Sequence, residues 1–173
     1  MFTLRPAGTS DPGAIYRFLN TPVREKLLAE PLPEEGKFLL QSARNHESGR
    51  ERYYILEQDG SMEGIIRIIT PEQSCEIWGR ALRTLFYHCG RIAFEELGMP
   101  RLRWYVRWNN RRMIRTCELF HIRRTGEAPF CNITENFSFV AIGSISYYEL
   151  TPEEFRERVE LMRRCALNVH NVF

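Results

Sequence analysis

The cations of this chain are almost all arginine. Of 24 basic residues, only Lys26 and Lys37 are lysines. A guanidinium stays charged at any working pH and binds phosphate or carboxylate through paired hydrogen bonds. Arg80 and Arg83 flank the start of one helical pattern, and Arg111, Arg112 and Arg115 that of another. Together they can hold phosphate groups; they are equally compatible with a solvated surface or a compositional bias. The stretch "RLRWYVRW" alternates. As a strand it puts Arg101, Arg103, Tyr105 and Arg107 on one face and Leu102, Trp104, Val106 and Trp108 on the other. Trp78, Phe86, Tyr87, Trp104, Trp108, Tyr147 and Tyr148 can line a pocket, stack on a base, or pack as core. Cysteines stand at 75, 89, 117, 131 and 165, an odd number with no CxxC pair. A disulfide framework or a zinc site is therefore not expected, and buried thiols are.

The elements that position these residues follow from periodicity. "FTLRPA" reads as a first strand. Ser10 or Asp11 caps a helix with Pro12 in its first turn, and Ile15, Phe18 and Leu19 share its inner face. The proline-rich "AEPLPEEG" separates it from a second helix, "KFLLQSARN", with Phe38, Leu39 and Leu40 inward. "HESGRE" reads as a polar loop. "RYYILEQ", the turn "DGS" and "MEGIIRII" form a hairpin, and "SCEIWGRAL" is a third strand of the same meander. Apolar residues at 82, 85, 86, 89, 93 and 97 mark one face of a long helix that Gly98 stops. After "RLRWYVRW" comes a short helix capped by Asn109 or Asn110, then strands at "HIRRTGE" and "NFSFVAIG". Thr151, Pro152 and Glu154 open a last helix with a capping box, and Phe155, Val159, Met162 and Ala166 form its apolar stripe. A meander followed by β-α-β units predicts an α/β (α+β) protein with a mixed central sheet flanked by helices.

At 173 residues, 43% hydrophobic and 27% charged, the chain suits one soluble domain. No run approaches the roughly 18 apolar residues of a membrane span. "MFTLRPAGTSD" lacks a basic-then-apolar leader pattern, so a cytoplasmic location is expected. The net charge of +2 argues against a strong nucleic-acid footprint.

The element order is similar to that of the GCN5-related N-acetyltransferase superfamily. The segment "FEELGMPRLRWYVRWNNRRMIRTCELFHIRRTGE" carries the resemblance most closely. Many members read "FEELGLHRI", a strand, an asparagine, then "EKLGF" and "REG". Here Phe94 to Gly98, Asn110, Glu118 with Leu119, and Arg124 to Gly126 match in order and spacing. "PLPEEGKFLL" and "RYYILEQDGSMEGIIRI" resemble the subgroup acting on ribosomal-protein N-termini, aminoglycosides and amino sugars. "SISYYELTPEEF" is consistent with the family's final strand and an added helix. The resemblance covers roughly residues 2 to 150. It implies an acyl-CoA N-acyltransferase-like domain over 1–150, with residues 151–173 as a C-terminal helix packed on it.

The resemblance implies acetyl-CoA as co-substrate, no metal, and a small-molecule or protein amine as acceptor. In the family, the fourth and fifth strands splay apart around the pantetheine arm, and the next helix begins at the pyrophosphate, where free N–H groups and the helix dipole favour an anion. The usual phosphate loop, Q/R-x-x-G-x-G/A, is degenerate here, and Gly79 is the only glycine just ahead of the helix. The cofactor-binding candidates are therefore Gly79, Arg80, Ala81, Leu82 and Arg83, with Asn110 beside the pantetheine arm and Arg115 on the phosphates. Glu76, on the fourth strand, is the candidate base. Tyr105 stands where many members have a catalytic glutamate, and could position the acceptor or a water. Cys117 stands where many have a tyrosine acid; its thiol either protonates the leaving thiolate or sits in the core. His121 is a further candidate proton carrier. The reading is an N-acyltransferase; a homodimer is compatible with it and a membrane partner is not expected. Two alternatives stand beside it: a non-catalytic module of the same fold that has lost CoA binding and acts through a protein partner, and an RNA- or nucleotide-binding protein using the arginine-bearing strand.

Overall fold

The computed structural model describes residues 1–25, 32–133 and 139–171. The proline-rich stretch beginning at 29 and the strand expected from 136 lie partly outside them. The elements run β1 (Phe2–Pro6), α1 (Pro12–Leu19), α2 (Pro22–Glu25), α3 (Glu35–Glu47), β2 (Glu51–Gln58), β3 (Ser61–Ile69), β4 (Ser74–Gly79), α4 (Leu82–Arg91), β5 (Leu102–Arg107), α5 (Arg111–Leu119), β6 (Arg123–Ile133), β7 (Phe139–Leu150), α6 (Pro152–Cys165) and β8 (Val169–Asn171). A π-helical turn, Ile92–Glu96, extends α4, and Gly98 stops it at φ 59°. The strands form one mixed sheet in the order β6-β7-β5-β4-β3-β2-β1-β8. β4 with β5 and β1 with β8 are parallel; the other pairs are antiparallel.

Two cores cover the two faces of the sheet. On one face Leu4, Leu56, Ile66, Ile77, Trp104 and Val106 pack against Leu85, Phe86 and Cys89 of α4, Met113 and Cys117 of α5, and Phe155 and Met162 of α6. On the other face Tyr53, Ile55 and Ile65 meet Ile15 and Leu19 of α1 and Phe38 of α3. The capping box of α6 forms: Glu154 N–H donates to Thr151 Oγ1 at 3.3 Å, and Thr151 N–H to Glu154 Oε2 at 3.0 Å. The hairpin turn also forms, with Asp59 and Gly60 both at positive φ.

Several local expectations need correction. Leu40 points out and is 55% exposed; successive helical residues turn by 100°, so Phe38, Leu39 and Leu40 cannot all face inward. His46 and Glu47 prolong α3, and Glu51 starts β2, leaving little of the expected polar loop. Asp11 stands at the N-cap of α1 without a capping bond, because its carboxylate takes Arg5 and the Gly8 N–H instead. Trp108 lies just past β5 rather than on its inner face. The short helix α2 and the edge strand β8 have no periodicity that predicts them, being too short to show one.

His88 of α4 is buried at 6% exposure, and burial, then the charge of Arg91, push its pKa down to about 4. Its ordinary value is 6.5, so the neutral ring stabilises the fold fully above pH 6.5, and that contribution is lost as the pH falls toward 4. The free energy of unfolding of the wild type should fall over that window by about 3 kcal/mol more than that of His88→Gln. Equal pH slopes by urea titration would contradict this.

Candidate active site

β4 and β5 pair only at Ser74–Arg103, where Arg103 N–H donates to the Gln73 carbonyl at 2.8 Å. Beyond that point the strands part. The gap between them is lined by Cys75, Glu76, Ile77 and Trp78 on one side and Trp104, Tyr105, Val106 and Arg107 on the other, and Asn110 and Met113 close one end. Asn110 also caps α5, its Oδ1 accepting the Met113 N–H at 3.2 Å. A second hollow, bounded by Ile77, Trp78, Gly79, Leu82, Asn110 and Arg112, continues from the first. It leads to a cavity of about 370 Å³ whose walls include Arg80, Ala81, Leu82, Arg83, Arg112 and Arg115. The middle hollow shares Ile77, Trp78 and Asn110 with the gap and Leu82 and Arg112 with the cavity, so the three lie in series along one trough.

The connection from β4 to α4 is only Arg80–Ala81. Gly79, at φ 150°, lies so close to β3 that a Cβ there would meet the Glu63 carbonyl oxygen at 2.5 Å. Arg80 N–H is bound to that same carbonyl. This glycine permits the close approach of the two strands. The first turn of α4 has no capping side chain, so its N–H groups and dipole end open on the cavity. Arg112 Nη2 donates to the Arg80 carbonyl at 2.6 Å, which fixes that guanidinium across the trough. Arg83, Arg112 and Arg115 have no carboxylate partner among the described residues. The wall is completed by Cys165 and Leu167, and Leu167 N–H is tied to Thr84 Oγ1 at 2.9 Å. Arg111 is not among the wall residues.

At the other end of the trough, Glu76 is held on both oxygens. Arg67 Nη1 donates to Oε2 at 3.1 Å, and the Tyr105 hydroxyl lies 3.4 Å from Oε1. Arg67 in turn grips Glu51 through Nε at 3.1 Å and Nη2 at 2.7 Å. Burial alone would lower the pKa of Arg67, but the hydrogen bonds to Glu51 and the charge of Glu76 outweigh it and hold the guanidinium firmly protonated. These residues lie on the α1/α3 face of the sheet.

The trough thus brings together Glu76, Tyr105, Gly79, Arg80, Ala81, Leu82, Arg83, Asn110 and Arg115. It excludes Cys117. That side chain is fully buried in the core, and burial pushes its pKa up to about 12. A thiol walled off from the trough has no path to a leaving group, so the acid role considered for it is corrected to a packing role. Met113, Cys117 and Phe120 recur at helical spacing, a signal that places Cys117 inward. His121 is exposed in a turn at φ 51°, away from the trough. Sequence reasoning missed Arg67 and Glu51. Among the described residues no group of three or more His, Cys, Asp or Glu side chains could hold a metal ion.

No protein-family model and no curated protein sequence matches the chain. Solved structures do. A dodecameric spermidine N-acetyltransferase from Vibrio cholerae superposes at a TM-score of 0.71 with 14% identity, over 91% of this chain and 97% of that one. Mutant forms of the spermidine/spermine N-acetyltransferase of the same organism give 0.70 and 16%, over 91% and 97%. An N-acetyltransferase from Staphylococcus aureus Mu50 gives 0.67 and 15%, over 88% and 99%. At such identities the likeness establishes architecture, and the chain has the fold of the GCN5-related N-acetyltransferases, the superfamily its sequence resembles.

Proposed function

We propose that this protein is an N-acyltransferase that moves an acetyl or other acyl group from acyl-CoA to a primary amine. The observation that carries this reading is the continuity of the trough, from the parted edges of β4 and β5 to the arginine-walled cavity at the start of α4. A long, narrow ligand with an amide-rich arm and a polyphosphate end fits that sequence of surfaces. The parted strands offer backbone groups to the arm, and Arg80, Arg83, Arg112, Arg115 and the uncapped helix end meet the phosphates. The bound acyl-CoA supplies an activated thioester carbonyl, which the amine attacks directly, with loss of the thiolate. Glu76 is the group placed to take the proton of the attacking nitrogen. Tyr105, beside it, orients the acceptor or a water. The structural neighbours include enzymes named for spermidine and spermine, and the subgroup that the sequence resembles acts on ribosomal-protein N-termini, aminoglycosides and amino sugars; a primary amine is common to all of them. We place the protein in the cytoplasm, where acyl-CoA is at hand.

Two measurements test the reading. CoA at 100 times its dissociation constant should stabilise the protein by about 2.7 kcal/mol, read as a thermal shift. Arg83→Ala and Arg115→Ala should each weaken CoA binding about 10-fold by calorimetry, as the loss of one charge-assisted hydrogen bond does. Both arginines are exposed, so melting temperature should hardly move. No shift with millimolar CoA would favour the non-catalytic module instead.

Glu76→Gln should lower kcat by about 100-fold or more, the typical cost of losing a general base, with CoA affinity unchanged. Turnover equal to the wild type would remove Glu76 from the mechanism.

A further inference from the structure

Glu51 is 7% exposed, and its carboxylate is fully engaged. Oε1 accepts from Asn45 Nδ2 at 2.8 Å and Arg67 Nη2 at 2.7 Å; Oε2 accepts from Arg67 Nε at 3.1 Å and the Tyr53 hydroxyl at 3.3 Å. Burial raises the pKa of Tyr53, which keeps that hydroxyl a neutral donor. Only one guanidinium corner, Nη1, reaches on to Glu76. Two carboxylates therefore share one cation, and the group as a whole keeps one negative charge. Glu51 is sealed inside, so that charge is available to the trough only at Glu76.

A buried ion pair is weak grounds for stability, since packed apolar residues do as well or better in its place. This one runs from α3 through β2 and β3 to the trough wall. We propose that Glu51 is a positioning residue for the acyl transfer inferred above: it clamps the Nε–Nη2 edge of Arg67, so that Arg67 presents a single N–H to Glu76. Glu76 then takes a single guanidinium N–H, on Oε2, and Oε1, which accepts from the Tyr105 hydroxyl at 3.4 Å, is the oxygen that faces the incoming amine. Without the Glu51 charge the guanidinium would turn its paired edge to Glu76 and close that oxygen off.

The inference rests on the acyl-transfer reading, and the test separates the two. Glu51→Gln keeps the shape of the side chain and removes the charge. It should lower kcat roughly 10-fold or more, the scale of a misplaced catalytic group, and leave KM for acyl-CoA unchanged. The same substitution placed in Glu76→Gln should cost no further rate, because the two act through one path. Glu51→Asp, which retains the charge, should recover part of the loss. Equal losses in the two backgrounds, or an unchanged kcat, would overturn the positioning role while leaving acyl transfer standing. A wild-type protein that transfers no acyl group to any amine would overturn both.

Discussion

The structure turns on the parting of two adjacent parallel strands in the middle of a sheet. A sheet interior normally satisfies every backbone group by its ladder. β4 and β5 share one paired position, Ser74–Arg103, and then separate. Each is instead fastened to its outer neighbour. On one side Gly79 of β4 lies against Gly64 of β3, with Leu85 of α4 close enough that a Cβ on Gly64 would meet it at 2.5 Å. On the other side the chain past β5 follows β7: Trp108 N–H donates to the Ser144 carbonyl, and its ring lies flat on Gly143, where a Cβ would meet it at 2.2 Å. The glycines this chain uses near the site thus anchor the edges of the opening. The aromatic ring of Trp108, expected in the inner face of a strand, acts as a wedge at that edge.

The bulge in β3 decides what faces the opening. The Asp59–Gly60 turn pairs Gln58 with Ser61 and Glu57 with Met62, but from Leu56 onward the partners shift by one residue. Glu63 is the extra residue, and its freed carbonyl accepts the Arg80 N–H. Without the shift, Arg67 would stand opposite Arg52 on β2; with it, Arg67 stands opposite Tyr53, and Glu76 of β4 stands opposite Arg67. A one-residue bulge beside a site re-aims every side chain after it. This is why Glu51 and Arg67 were not legible in the sequence. Alternation places each on a face, but their meeting depends on a register that no residue type announces.

What was legible followed from periodicity and from spacing. The order of strands and helices, the Thr151 capping box, the Asn110 cap and the break at Gly98 each had a local signal that tertiary packing did not override. The trough residues Glu76, Gly79 to Arg83 and Asn110 came from the family resemblance rather than from periodicity; Glu76 stands within β4, the others at a strand end and two helix starts, and the fold brings them to one trough. For Cys117 two roles stood open, acid or core packing, and the side chain lies in the core, with Met113 and Phe120 beside it at helical spacing. The closing wall of the cavity was not foreseeable either. It comes from residues some eighty positions apart, with Thr84 of α4 holding Leu167 after α6.

The overall charge of +2 hides a division along the trough. The cavity end carries Arg83, Arg112 and Arg115, which have no carboxylate partner among the described residues, and at the other end Glu76 on the wall shares Arg67 with the buried Glu51. Exposed charges are screened beyond about 8–10 Å at physiological ionic strength, so each end acts on what lies against it rather than on the other. A glycine-rich cradle binds phosphate with backbone N–H groups that are fixed by the fold. Side-chain guanidiniums do the same with more charge and more conformational entropy to lose. Part of that cost is already met here, since Arg112 is held by the Arg80 carbonyl and the uncapped first turn of α4 supplies oriented N–H groups without rearrangement. A two-residue connection between β4 and α4 can therefore serve an anionic ligand, provided its charge is met from α5 as well. On the acyl-transfer reading, that makes the α4–α5 contact, rather than the loop itself, the element on which affinity for the phosphates depends.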